Sequence, residues 1–97
     1  MSITISYESS THRLRLEGKC EAGDVDRVRE AIDSYGRDHR RTIVNLIAVT
    51  HIDDEIAELV IDAREFARSE GREITLLRRA HSQVDQAILA AEAARTA

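Results

Sequence analysis

The chain has no proline and only one cysteine, Cys20, among its 97 residues. One cysteine cannot form an intramolecular disulfide, and it cannot supply a cysteine-based zinc site. Aromatic residues make up 3% of the sequence, which is too few for a platform on which nucleic-acid bases stack. The absence of proline is compatible with short, regular connections between secondary-structure elements.

Long apolar runs and a strong positive charge are also missing. No apolar stretch approaches the ~18 residues that span a membrane, and residues 1–4 lack the basic and apolar regions of a signal peptide. We therefore expect a cytoplasmic protein that is not inserted in a membrane. The net charge of −4 argues against nucleic acid as the main partner.

What remains is the composition of a small globular protein. The sequence is 42% hydrophobic and 33% charged, and its length suits one core. No linker or internal repeat divides it. We predict a single domain over residues 1–97.

The first third of the chain alternates apolar and polar residues and then changes period. "ITISY" (3–7) and "RLRLEG" (13–18) predict two strands, and the polar turn 8–12 between them predicts an antiparallel hairpin that Gly18 ends. A helical period follows, with Asp24 as its cap and Gly36 as its stop. Its predicted inward residues are Val25, Val28, Ile32 and Tyr35.

The rest of the chain predicts two more strands and two more helices. "TIVNLIAV" (42–49) predicts a strand buried on both faces, and Asp53 suits the N-cap of the helix that follows, which ends near Gly71. A strand over 73–77 and a helix over 81–95 complete the order β-β-α-β-α-β-α. The predicted inward residues of the two helices are Ile56, Leu59, Val60, Ala63, Phe66 and Ala67, then Val84, Ala87, Ile88 and Ala91.

This order predicts an α/β fold with a mixed four-strand sheet covered by helices. Two strand–helix–strand units imply parallel pairing with right-handed crossovers, and the first hairpin adds an antiparallel edge.

Signatures of common catalytic sites are missing. There is no phosphate-binding glycine loop and no Gly-x-Ser-x-Gly elbow, and the four histidines lack metal-ligand spacing. His51 lies near Asp53 and Asp54, but a solvated loop histidine is favoured over a metal ligand. We predict no cofactor, no metal and no enzymatic activity; a concave pocket around these three residues is the feature that would favour an enzyme.

Residues 43–77, "IVNLIAVTHIDDEIAELVIDAREFARSEGREITLL", resemble the STAS domain, a module shared by bacterial anti-sigma factor antagonists and sulfate transporters. The family has an apolar strand with an Asp near its end, then Asp-Ser-Ser-Gly-Leu, then a helix. This chain follows the same order of strand, Asp and helix without a gap, and it matches the motif itself only at Asp53 and at the apolar positions. Gly18 also matches a glycine common after the family's second strand, and the resemblance covers about residues 12–90.

The resemblance implies a protein-binding site that is switched by phosphorylation of a Ser or Thr by a kinase-like partner. Here Glu55 stands at the usual phosphorylation position, Asp54 replaces the other hydroxyl residue and Ile56 replaces the glycine. Glu55 carries about −1 against roughly −1.5 to −2 for phosphoserine, so it imitates the phosphorylated state only in part. Asn45 stands where many members have Asp, which we interpret as the removal of a charge that would repel Glu55; Thr50 is a hydroxyl that precedes the motif.

The predicted partner-binding surface comprises the loop 50–55 and the helix 54–68. Ile61 lies nearly opposite the apolar stripe, so we expect it to project outward as an interface anchor with Ala57, Glu58 and Glu65. The predicted partner-binding residues are Thr50, His51, Asp53, Asp54, Glu55, Ala57, Glu58, Ile61 and Glu65.

Simpler explanations compete with this site. Acidic residues in the first turn of a helix stabilise it by roughly 0.3–1 kcal/mol each, and Asp at the N-cap adds about 1 kcal/mol over Ala. Five arginines lie in predicted loops, some before a strand and some after one, so we expect them at opposite ends of the sheet. For these arginines, solvated loops are favoured over an anion-binding site. These residues are Arg37, Arg40, Arg41, Arg78 and Arg79.

Our leading hypothesis is a non-enzymatic module that binds an anti-sigma kinase-like or other regulatory protein. The second is a STAS-type accessory subunit of a membrane transporter, and an enzyme is the third. A homodimer is compatible with each of them.

Overall fold

The computed structural model describes residues 3–8 and 10–96, and it confirms the predicted order of elements. A 3₁₀ turn at Ala22–Asp24 precedes the first helix, and Ser9 of the predicted turn 8–12 lies outside the described residues. The elements are β1 (Thr4–Glu8), β2 (Arg13–Cys20), α1 (Val25–Gly36), β3 (Arg41–Ile52), α2 (Asp54–Ser69), β4 (Glu73–Leu77) and α3 (Gln83–Thr96).

The four strands form one mixed sheet in the order β1-β2-β3-β4. The β1–β2 hairpin is antiparallel, with Ile5 opposite Leu16, whereas β2–β3 and β3–β4 are parallel. The sequence pattern predicted that Gly18 ends β2, and this prediction is wrong. The strand continues to Cys20 through a register shift at Gly18, where the positive φ of 96° is a conformation that glycine adopts without strain.

The helices cover one face of this sheet. Because β2, β3 and β4 follow one another in the same direction, two crossovers of one hand place α1 and α2 on the same side, and the two helices are in contact. Helix α3 then packs against α2 and β3. The residues of the sheet that face the helices are buried: Leu14, Leu16, Thr42, Val44, Leu46, Ile74 and Leu76.

The opposite face of the sheet corrects the prediction that β3 is buried on both sides. Arg13, Arg15 and Asn45 are only half-buried there, and Ile47 is 43% exposed. A continuous apolar run signals two covered faces only when helices pass on both sides. Here every crossover lies on one side.

Helix α2 also departs from the predicted stripe. Ile61 and Ala57 are fully buried instead of projecting outward, whereas Phe66 is 59% exposed instead of buried. Helix α2 lies between α1 and α3, so more than one stripe of its surface is covered; Arg64, one turn after Ile61, forms an ion pair with Glu92 of α3. Phe66 lies near the end of α2, where charged side chains surround it.

The other predicted inward residues mostly keep their place. Val28, Ile32, Ile56, Leu59, Val60, Ala67, Val84, Ile88 and Ala91 are buried, and Val25, Tyr35, Ala63 and Ala87 are half-buried against the core. None of the helices in the described ranges combines the length and hydropathy that crossing a membrane requires.

Candidate functional site

The backbone of Asp53 joins three elements at one end of the sheet. Its N–H donates to the carbonyl of Cys20 at 2.9 Å, at the end of β2. Its carbonyl accepts the N–H groups of Ile56 and Ala57 at 3.0 and 3.1 Å, which starts α2. The chain therefore leaves β3 and enters α2 with a fixed geometry, although the connection is a single residue long.

The Asp53 carboxylate does not cap α2, which corrects the simplest interpretation of this residue. Asp53 occupies the N-cap position, but its side chain makes no capping bond. One carboxylate oxygen accepts the N–H of Ala22 at 2.9 Å, and the other lies 2.8 Å from Nε2 of His51. These hydrogen bonds, that of His51 first, lower the pKa of Asp53 below its usual range.

Asp24 behaves in the same way before α1. It holds the N-cap position, but its buried carboxylate accepts the N–H of Glu21 at 3.0 Å instead of capping the helix. Asp24 and Asp53 thus both stabilise the connection from β2 to α1, residues 21–24, which lies next to the start of α2.

Gln83 completes this end of the sheet. Strand β4 ends where Leu77 pairs with Asn45, so the last residues of β3 have no strand on that side. The Gln83 side chain accepts the N–H of Ile52 at 2.9 Å and donates to its carbonyl at 2.8 Å. The sequence carries no signal for this contact, because it depends on how the segment 78–82 folds back.

Asp54 and Glu55 stand free at the first turn of α2. Both are exposed, and neither forms an ion pair within the part of the chain that the structure describes. Together with His51, Ile52, Asp53 and Gln83 they line a cleft of about 340 Å³. The cleft is shallow and open to solvent, and its lining contains no hydroxyl or thiol that the His51–Asp53 pair could activate.

An acidic row continues from this cleft along α2. Glu58, Asp62 and Glu65 are exposed at helical spacing after Asp54. Arg95 of α3 pairs with Asp62 at 2.5 Å, and Arg68 lies 3.5 Å from Glu65. Asp62 was missed by the sequence analysis, although its spacing of four residues from Glu58 is a signal that could have identified it.

Most of the predicted partner-binding residues share this surface. Asp54, Glu55, Glu58 and Glu65 are exposed on α2, and His51 and Asp53 are half-exposed in the cleft. Thr50 is exposed near the end of β3. The predicted loop 50–55 is wrong, because the strand continues to Ile52 and the helix begins at Asp54. The two exceptions are Ala57 and Ile61, which are buried in the core and present no side chain to a partner.

Asn45 does not lie near Glu55, which corrects the interpretation that it relieves repulsion there. It precedes Ile52 by seven residues along β3, which is roughly 20 Å at 3.3 Å per residue. That separation exceeds the screening length of about 8 Å at physiological salt. The Asn45 side chain instead accepts the N–H of Ile47 at 3.0 Å, beside the register shift between β2 and β3.

The described residues contain no group of three or more His, Cys, Asp or Glu side chains placed to hold a metal ion. No family model matches the sequence, and no curated protein matches it. A solved structure described as "Crystal Structure Analysis of Mglu" is similar to this chain with a TM-score of 0.63 and 20% sequence identity. The similarity covers 81% of this chain and 20% of that one, so the shared fold is part of a longer protein there.

Proposed function

We propose that this chain is a non-enzymatic protein-interaction module of the STAS type, which binds a regulatory protein through residues 50–55, where β3 passes into α2, and through the exposed face of α2. One observation carries the proposal. The acidic residues Asp54 and Glu55 are exposed and unpaired where β3 passes into α2, the position at which the STAS frame has its partner-binding motif.

The surface favours a partner with a basic patch. Carboxylates of Asp54, Glu55 and Glu58 extend from the cleft along one side of α2, and none of the three forms an ion pair with a described residue. Arg95 reaches this row, but it donates to the backbone carbonyl of Glu58 and pairs with Asp62. Charge complementarity of this kind raises the association rate and selects the partner's orientation. The candidate partner is an anti-sigma kinase-like protein or another regulatory component.

The state of the site distinguishes this chain from the usual phosphorylation switch. Glu55 has no hydroxyl to accept a phosphoryl group, and its carboxylate does not depend on a kinase for its charge. We propose that the site is constitutive, held in one charged, phosphate-free state, and that phosphorylation of residue 55 does not switch it.

Affinity capture of the native partner tests the binding surface. The double substitution Asp54→Lys, Glu58→Lys should abolish capture, because it places like charges against the basic patch. The matched control is Glu30→Lys with Asp33→Lys, which changes the same charge on exposed residues of α1 and should leave capture unchanged. Equal capture by the Asp54/Glu58 variant and the wild type would refute the proposal that this surface binds the partner. Capture of a transporter subunit would favour the alternative, a STAS-type accessory subunit of a membrane transporter.

Phosphorylation is tested with the captured partner and ATP, followed by mass spectrometry. The wild-type chain should gain no phosphate between residues 50 and 56, whereas Glu55→Ser should gain one if the partner is a kinase. Phosphate on any wild-type residue in that range would contradict the constitutive site.

A further inference from the structure

A stack of rings lies at the end of the sheet opposite the acidic cleft. Tyr7 stacks on Tyr35 with ring centroids 5.0 Å apart, and Tyr35 stacks on His39 at 4.5 Å. The ring of His12 follows at 5.1 Å, tilted by 58°. A chain with 3% aromatic residues has therefore gathered both of its tyrosines and two histidines in one place.

One nitrogen of the His39 ring is committed within this stack. Nδ1 lies 2.7 Å from the carbonyl oxygen of Tyr35. A carbonyl oxygen only accepts, so Nδ1 carries a hydrogen and donates it. Nε2 is the remaining nitrogen, and it becomes a donor when the ring takes up a second proton.

A cleft of about 420 Å³ opens beside the two histidines. It is lined by His12, Asp38, His39, Arg40 and Arg41. Arg40 and Arg41 are exposed and form no ion pair with a carboxylate of the described residues. Three less exposed arginines elsewhere, Arg64, Arg72 and Arg78, are each paired with a carboxylate.

The backbone that carries these side chains is fixed by the sheet. The carbonyl of His12 accepts the N–H of Ile43 at 3.2 Å, and the carbonyl of Arg40 accepts the N–H of Glu73 at 2.8 Å. Strands β2 and β3 therefore start side by side, directly after His12 and Arg40. The backbone of a site built on these residues needs little ordering when a ligand binds.

We propose that this cleft binds a small tetrahedral oxyanion of the phosphate-monoester class. Arg40 and Arg41 supply two permanent positive charges and planar N–H groups that match such an anion, and His39 and His12 add donors when protonated. The volume exceeds that of a phosphate group and leaves room for the group attached to it. The sequence alone favoured solvated loops for these arginines; their convergence with two histidines in one cleft is a product of the fold.

Carboxylates near the cleft limit the positive charge that it offers to an anion. Asp38 lines it, and Glu8 and Glu73 lie at the same end of the sheet, next to Arg13 and Arg41. These carboxylates offset part of the arginine charge at neutral pH. Both arginines are therefore needed to hold an anion, and loss of either one should weaken binding.

Calorimetric titration of the full chain with sulfate tests the site, because sulfate keeps its charge between about pH 6 and pH 8. We expect saturable binding, and displacement of sulfate by glycerol 3-phosphate but not by glycerol. Arg40→Gln and Arg41→Gln should each weaken binding by about tenfold.

The matched control is Arg79→Gln, which removes the same charge from an exposed residue after β4, at the other end of the sheet. It should leave sulfate affinity unchanged. The proposal is overturned if binding does not saturate, if glycerol 3-phosphate fails to displace sulfate, or if Arg79→Gln weakens binding as much as Arg40→Gln does.

Discussion

At the scale of single residues, the chemistry of Asp53 is set by its neighbours in space. The sequence suggests a helix cap, but the carboxylate accepts the N–H of Ala22, thirty-one residues away, and binds His51. The Ala22 N–H lies in the connection before α1, and the Asp53 carboxylate is within hydrogen-bond distance of it. Asp53 therefore stabilises a tertiary contact from a position at which the local sequence predicts a helix cap.

Asp53→Asn should lower the free energy of unfolding near neutral pH and have little effect in acid. The pKa of Asp53 is lowered in the fold, so the unfolded chain binds the proton more readily. The stabilisation is present above the ordinary value of 3.8 and is lost as the pH falls through the lower, native pKa. Urea denaturation of the variant and the wild type at a series of pH values measures this difference.

The control for this prediction is Asp54→Asn, which removes the neighbouring carboxylate. Asp54 is exposed at the first turn of α2 and makes no hydrogen bond among the described residues. Its substitution should cost less stability than that of Asp53. An equal loss in the two variants would show that the contacts of Asp53 with Ala22 and His51 contribute nothing beyond charge at the helix start.

At the scale of elements, α2 shows how its neighbours decide which residues are buried. The periodicity identified the residues that face the sheet, such as Ile56 and Val60. It did not show that α1 and α3 flank the helix and cover Ile61 as well. Phe66 is left outside this cover and lines a cleft of charged side chains near the end of the helix.

Ile61→Asp should destabilise the fold by about 3 kcal/mol or more, because a charge without a partner would be buried in the core. Phe66→Asp, the same kind of change five residues later, should alter the stability by less than about 1 kcal/mol, since the side chain is 59% exposed. Urea midpoints for the two variants give the comparison. Similar midpoints would contradict the burial of Ile61 against its neighbours.

At the scale of the whole molecule, Cys20 reports on global unfolding. Its thiol is fully buried at the end of β2, and burial, followed by the nearby charge of Asp24, raises its pKa to about 12. The native thiol is therefore neutral and inaccessible at pH 8, while the thiolate is the reactive form. Alkylation requires that the structure open.

Iodoacetamide should modify native Cys20 at least about a thousandfold more slowly than the unfolded chain, since a stability of ~5 kcal/mol leaves fewer than one molecule in a thousand unfolded. The rate should rise with urea in parallel with loss of helical circular dichroism. Rapid labelling without urea would mean that the end of β2 opens independently of the rest of the core.

The two ends of the sheet carry surfaces of different charge. The end where β2 and β3 finish holds the acidic cleft with Asp54 and Glu55, and the end where they begin holds the cleft with Arg40 and Arg41. Because β2 and β3 are parallel, their first residues lie at one end of the sheet and their last residues at the other, which separates the two surfaces. Tests at one end therefore leave the other end intact.

The sequence by itself determined the α/β class, the order of the elements, the hairpin and the parallel pairing of β2, β3 and β4. Alternation and helical period are local properties, and short connections restrict the topologies that can join them. Only the tertiary structure decided that Ile61 is buried, that Gln83 completes the edge of β3, and that His12 and His39 share a cleft with two arginines. Each of these depends on residues distant in the chain, because burial and hydrogen bonding are set by the neighbours that the fold brings together.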